Sequence, residues 1–228
     1  MSSKTITRLG LAAVMLLAVL LLPAAALARG GAWAHGGGAA MYEIKIDNLT
    51  SNQIFSPPVV ISHDSSYRLF QKSHHASREL RLIAESGNNG PAAMRATYSR
   101  RVFDVKTADG PILPGQSATF TVRSPRGSRL SLATMLVQTN DGFAGVDSMW
   151  LRGLRTRMYN LRAWDAGTEA NNEMAAYVPG PPFGGMMRAP TNQRIKYHRG
   201  IQGTADIDAT VYGWSGAVAK LTVTPITP

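Results

Sequence analysis

Short runs in which apolar and polar residues alternate with a period of two recur between Tyr42 and Val223, and they narrow what the chain can fold into more than any other feature. Tyr42 to Asn48 sets Tyr42, Ile44 and Ile46 on one face and Glu43, Lys45 and Asp47 on the other, the pattern of a half-buried strand. Ala118, Phe120 and Val122 repeat it, as do Tyr159, Leu161 and Ala163, then Ile195 and Tyr197, and finally Ala219, Leu221 and Val223. Between these runs lie Asn48 to Gln53, Asp109-Gly110, Pro114-Gly115 and Pro125-Arg126-Gly127, the residue types that make tight connections. Val59-Val60-Ile61 follows Pro57-Pro58 and reads as an edge strand or a strand start, because proline gives no donor to a ladder. Leu130 to Val137 is the longest apolar strand, and Met158 to Ala163 is a further one. Two stretches break the pattern with helical spacing. Ser77 caps a predicted helix from Arg78 to Ser86, with Leu80, Ile83 and Ala84 on one face and Gly87 as the stop. A second runs from Pro91 to about Ser99. No internal repeat and no dividing linker appears, so the pattern predicts one all-β domain over residues 42–228, built of antiparallel strands with short helical insertions.

The residues ahead of this domain read as an address. Lys4 and Arg8 precede an apolar run from Leu11 to Leu22, and Ala26-Leu27-Ala28 supplies small residues for cleavage. This predicts a secretory signal peptide over residues 1–28; a membrane-spanning helix needs about 20 apolar residues. Residues 29–41, rich in glycine and alanine, read as a flexible leader. The expectation is a secreted or periplasmic protein with no transmembrane segment after cleavage. Cysteine is absent, so no disulfide staples the fold and no thiol can serve as nucleophile or metal ligand. Stability must then come from the core, and from any ion that binds only the folded chain.

Charge is distributed unevenly. Lysine and arginine number 24 against 14 aspartates and glutamates, yet Asp141, Asp147, Asp165, Glu169 and Glu173 crowd into the window from Asn140 to Glu173. Clustered carboxylates repel unless something positive lies between them. Loops rich in Gly, Asn and Thr can turn carbonyl oxygens inward, and six to eight oxygens at roughly 2.3–2.6 Å is how calcium is held. On spacing alone a second reading stays open, in which these are turn residues paired with Arg152, Arg155, Arg157 and Arg162.

DGFAGVDS (141–148), a strand, then WDAGTEANNE (164–173) resembles the signature of the spondin N-terminal domain family in a bacterial secreted form. SPPVV, GPILPG, RLSLATMLVQTND, VPGPP and HRGIQG fit the same family, and the likeness runs from about Tyr42 to Thr224. The resemblance implies a C2-like sandwich with calcium (Ca2+) in loops at one end. Carried over position by position, its metal ligands are Asp141, Asp165 and Glu169, the last a departure from the aspartate of the family pattern. It also implies a role in adhesion or surface recognition.

A basic surface favours anionic partners such as an anionic polysaccharide, lipopolysaccharide or a lipid surface. Nucleic acid is not expected, since no zinc-finger, basic-helix or RNP pattern is present and the chain is exported. Neither a G-x-S-x-G elbow, an H-E-x-x-H helix nor a P-loop occurs, and the expectation is a non-enzymatic module. The alternative is an exported hydrolase of glycans or esters with Asp165 and Glu169 as its acid/base pair. Asn171, Asn172 and Glu173 are candidates to complete the metal shell or bind a sugar. His63 and His198, with Asp64, are candidates for a second metal site, although scattered loop histidines more often anchor loops. Phe183, Met186 and Met187 form a candidate contact lip.

Overall fold

The alternation of the first strand is realised as alternating burial. In β1 (Ala39–Asn48) Tyr42, Ile44 and Ile46 are buried while Glu43 and its neighbours face outward. The structure, a computed structural model, describes residues 39–152 and 154–226. The expected signal peptide and most of the expected leader lie outside the described residues, and β1 begins three positions earlier than the pattern predicts. After β1 come β2 (Val59–His63), α1 (Arg78–Ser86), α2 (Gly90–Thr97), β3 (Val102–Thr107), β4 (Ser117–Pro125) and β5 (Arg129–Met135). Then follow β6 (Gly142–Trp150), β7 (Arg157–Leu161), β8 (Ala163–Asp165), a 3-10 turn at Ala175–Tyr177, β9 (Lys196–Tyr197), α3 (Ala209–Tyr212) and β10 (Ala219–Ile226).

The strands form two sheets, ordered β4-β1-β10-β7 and β3-β2-β5-β6-β8-β9, and every pairing is antiparallel. Between the sheets the inward residues of β1, β4 and β10 meet Val60, Leu130, Leu132 and Ala144 in one apolar core. This is the predicted all-β sandwich. A second core lies on the other side of the six-stranded sheet. There Val59, Ile61, Ala133 and Phe143 pack against Leu80, Ile83 and Ala84 of α1 and Ala92 and Ala96 of α2.

That second layer explains the two continuous apolar runs. β2 is buried along its whole length and β5 at all but its first residue, since both are covered on two faces. β2 is accordingly an interior strand between β3 and β5, and Pro57-Pro58 precedes it rather than marking an edge. The predicted strand from Met158 to Ala163 is divided. Leu161 ends in the four-stranded sheet against Ala219, and Ala163 begins in the six-stranded sheet against Ala144. Both residues belong to the same core, so the alternation continues across the step while the ladder changes. Among the described residues no helix is long and apolar enough to cross a membrane.

The helical insertion is fixed by its ends. Ser77 Oγ accepts from the Leu80 amide at 3.2 Å. Gly87 closes α1 in the left-handed region at φ 67, its amide donating to the Ile83 carbonyl, a helix stop that glycine allows. A Cβ on Gly87 would lie 2.7 Å from Ser56 Cβ. Replacing Ser77 by alanine is therefore expected to cost about 1 kcal/mol. Gly87→Ala adds the left-handed penalty, roughly 1–2 kcal/mol, to that steric conflict. Urea denaturation is expected to rank the two in this order; a Gly87→Ala midpoint equal to wild type would show that the cap is not a constraint.

Candidate functional site

Asp141 sits where the chain leaves β5 and turns into β6. Thr139 locks that turn: its hydroxyl donates to the Leu136 carbonyl at 2.6 Å and accepts from the Gly142 amide at 2.8 Å. β6 then pairs with β8, with Gly142 opposite Asp165, so the ladder sets the two loops side by side. The Asp141 carbonyl accepts from the Ala166 amide, and one carboxylate oxygen, Oδ2, accepts from the Thr168 amide at 2.7 Å, the Glu169 amide at 3.0 Å and the Thr168 hydroxyl at 3.2 Å. Asp165 Oδ1 accepts from the Gly167 amide at 2.7 Å, closing a tight turn. Gly167 takes φ 72, and a side chain there would run into Gln193 at 2.7 Å, so only glycine lets the loop 165–169 pass so close to residue 193.

The other oxygen of Asp141, Oδ1, is buried and has no hydrogen-bond partner. Burial first, and then the negative charge of Asp165, push the Asp141 pKa up to about 6, against the hydrogen bonds that Thr168 and Glu169 supply. Asp165 is buried as well, with Lys196 Nζ 3.6 Å from Oδ2. Asn171 Nδ2 donates to the same oxygen at 2.9 Å. His198 lies behind Asn171. Its Nδ1 accepts from the Gly200 amide at 3.0 Å, so Nε2 carries the proton and donates to Asn171 Oδ1 at 3.1 Å. Burial lowers the His198 pKa, although the charges of Asp165 and Glu173 oppose that, and the ring is a neutral anchor.

The structure brings Asp141 and Asp165 together and sends Glu169 elsewhere. Glu169 Oε1 accepts from Arg188 Nε at 2.8 Å and Oε2 from the Ala189 amide. Arg188 also bridges to Glu85 of α1 at 2.8 Å. Among the described residues no group of three or more His, Asp or Glu side chains is gathered as for a metal. The orphaned, buried Asp141 Oδ1 beside a second buried carboxylate is an oxygen set suited to a hard cation, while both oxygens of Glu169 accept hydrogen bonds from Arg188 and Ala189.

The remaining acids of the window serve their own loops. Glu173, at φ 54, accepts from the Gln202 amide at 2.6 Å and from the Thr204 amide and hydroxyl at 2.7 and 3.0 Å. Burial alone would raise its pKa, but these bonds outweigh burial and lower it. Asn172 accepts from Asn140 Nδ2 at 3.1 Å. Asp147 lies in a bulge of β6 and accepts from the Leu69 and Phe70 amides and from Ser131. His63 and His198 hold separate partners: both nitrogens of His63 are engaged, by the Asp64 carbonyl and by Ser131 Oγ. Met186 and Met187 are exposed, whereas Phe183 packs against Tyr212. The roles of Arg188 and Glu85 carried no sequence signal, since the residues lie 19 and 84 positions from Glu169 and meet it only through the fold.

The Spondin_N family model matches residues 46–182, a span that contains Asp141, Asp165 and Glu169. No curated protein matches the chain.

The raised pKa of Asp141 has a defined consequence in chelator. The folded chain binds this proton more tightly than the unfolded chain does, so the penalty is absent below the ordinary value of 3.8 and complete above about pH 6. Two units correspond to up to about 3 kcal/mol. Asp141→Asn is expected to gain stability on wild type as the pH rises from 4 to 7. Denaturant midpoints of the two proteins across that range measure it, and a difference independent of pH would refute it.

Proposed function

The chain belongs to the spondin N-terminal domain family, and from that premise we propose that it is an exported, non-enzymatic, calcium-binding module for adhesion or recognition at anionic surfaces. Spondin domains occur in secreted or extracellular proteins and point to an extracellular recognition or adhesion role. The signal-peptide pattern agrees with export. The calcium reading rests on one observation above all: a buried carboxylate oxygen, Asp141 Oδ1, with no partner and with Asp165 beside it. Asp141 and Asp165 would hold the ion, which would supply the positive charge that two adjacent buried carboxylates require. Glu169 then acts through its ion pair with Arg188, positioning the loop that reaches Asp141 with two amides. The basic surface supplies attraction to anionic polysaccharide, lipopolysaccharide or lipid headgroups.

The alternative of a hydrolase using Asp165 and Glu169 draws no support from this arrangement. Both carboxylates are buried, and both of Glu169's oxygens are engaged. A general acid or base must reach a substrate proton.

Calcium is expected to raise the melting temperature of the purified protein, since an ion at one hundred times its dissociation constant stabilises the fold by about 2.7 kcal/mol. Asp141→Asn should abolish that shift, while Glu169→Gln should lower stability yet keep it. Calorimetric titration checks both; equal calcium heats for wild type and Asp141→Asn would sink the assignment.

A further inference from the structure

The six-stranded sheet carries a second constellation, which begins at the end of β6 far from Asp141 and reaches Tyr197, one residue from the partner of Asp165. Arg129 at the start of β5 pairs directly with Trp150 at the end of β6. Its guanidinium lies 3.4 Å from the Trp150 ring centre, and that of Arg152 lies 4.0 Å from the same ring. Tyr197 is built similarly: it stacks on its strand partner Trp164 at 4.3 Å and is approached by Lys72 at 4.7 Å and Arg162 at 4.4 Å. Trp150 and Tyr197 are exposed. Two depressions of about 360 and 390 Å³ share Asp147 and Trp164; Lys72 and Arg129 line the first, Arg162 and Tyr197 the second.

Charge in this groove is unbalanced. Asp147 is the acid of the groove, and it is already shared between Arg68 at 3.6 Å and the amides of Leu69 and Phe70. Among the described residues Lys72, Arg129, Arg152 and Arg162 have no ion pair. Arg129 Nε is buried without an acceptor. Partial desolvation, and then the charges of Arg68 and Arg152, lower the Arg129 pKa, as expected where cations are held together. Surface arginines are ordinarily free to spread apart; here stacking on one ring holds Arg129 and Arg152 together, and Arg129 is further fixed by Nη1 donating to the Ser148 carbonyl at 3.3 Å.

We propose that this groove is a binding site for an acidic polysaccharide, whose carboxylate or sulfate groups pair with Arg129 and Arg152 at one end and Lys72 and Arg162 at the other. The assignment rests on the recognition reading above and gives it a ligand class and a place. A linear polymer fits because the cations flank an elongated depression rather than converge on one point. A lipid surface fits less well: the cations here sit over aromatic rings within a groove, while the most exposed apolar side chain, Met186, lines with Met187 a different depression beside α1.

The test uses the purified protein with calcium, oligogalacturonate and dextran sulfate oligomers as probes, neutral dextran as a blank and anionic phospholipid vesicles as a separate arm. Wild type should bind both acidic oligomers and not dextran. Arg129→Gln/Arg152→Gln, and independently Lys72→Gln/Arg162→Gln, should each weaken binding about tenfold or more. Arg78→Gln/Arg100→Gln removes the same charge from exposed positions elsewhere and should change affinity by less than about threefold. Equal losses in all three doubles would overturn the site in favour of diffuse charge, and preference for vesicles would overturn it in favour of a lipid surface. If wild type binds neither oligomer the site is wrong, but calcium-dependent melting would still stand; loss of the melting shift with oligomer binding intact would remove the calcium reading alone.

Discussion

Two carboxylates buried side by side at one pole of the sandwich set the terms for the connections around them. Desolvating one acid next to another is costly unless hydrogen bonds or a cation compensate. Here the compensation is built from backbone. The loop 165–169 turns its amides onto Asp141 Oδ2 and Asp165 Oδ1, and Asn171 and Lys196 reach the far side of Asp165. Asp141 Oδ1 remains uncompensated. The pole is therefore almost satisfied without an ion, which lets the loops hold their form while leaving one oxygen for a cation to use.

Most of the architecture was legible because strand periodicity and turn chemistry are local. The caps of α1 at Ser77 and Gly87, the alternation of β1, β4 and β10, and the turns between strands all follow from residues within a few positions of one another. What was not legible depends on which surface covers which. Alternation cannot distinguish one strand from two when the chain changes sheet at Arg162 yet faces the same core on both sides. Likewise, the prolines before β2 allowed an edge strand or a strand start; it is the latter, and only the helical layer explains why β2 is buried on both faces.

The site divides in the same way. The nearness of Asp141 and Asp165 was readable from the family motif, and the ladder delivers it. The fate of Glu169 was not, because its partner Arg188 belongs to a loop without regular structure, and that arginine is shared with a helix inserted much earlier in the chain. The glutamate at this position, one methylene longer than the aspartate of the family pattern, reaches this arginine. The five acids of one sequence window thus serve separate tasks: a pair at the pole, an anchor for residues 188 and 189, one for residues 202 to 204, and one in the β6 bulge for residues 69 and 70.

Strand β8 is only three residues long, yet Trp164 in its middle stacks on Tyr197 while Asp165 at its end sits at the pole. A ribbon that short has no room to bend between its two duties. The ladder that pairs Trp164 with Tyr197 also pairs Asp165 with Gly142 on one side and Lys196 on the other. Were an ion held at Asp165 to alter the hold of Tyr197 on a ligand, the ligand would alter the hold on the ion by the same factor.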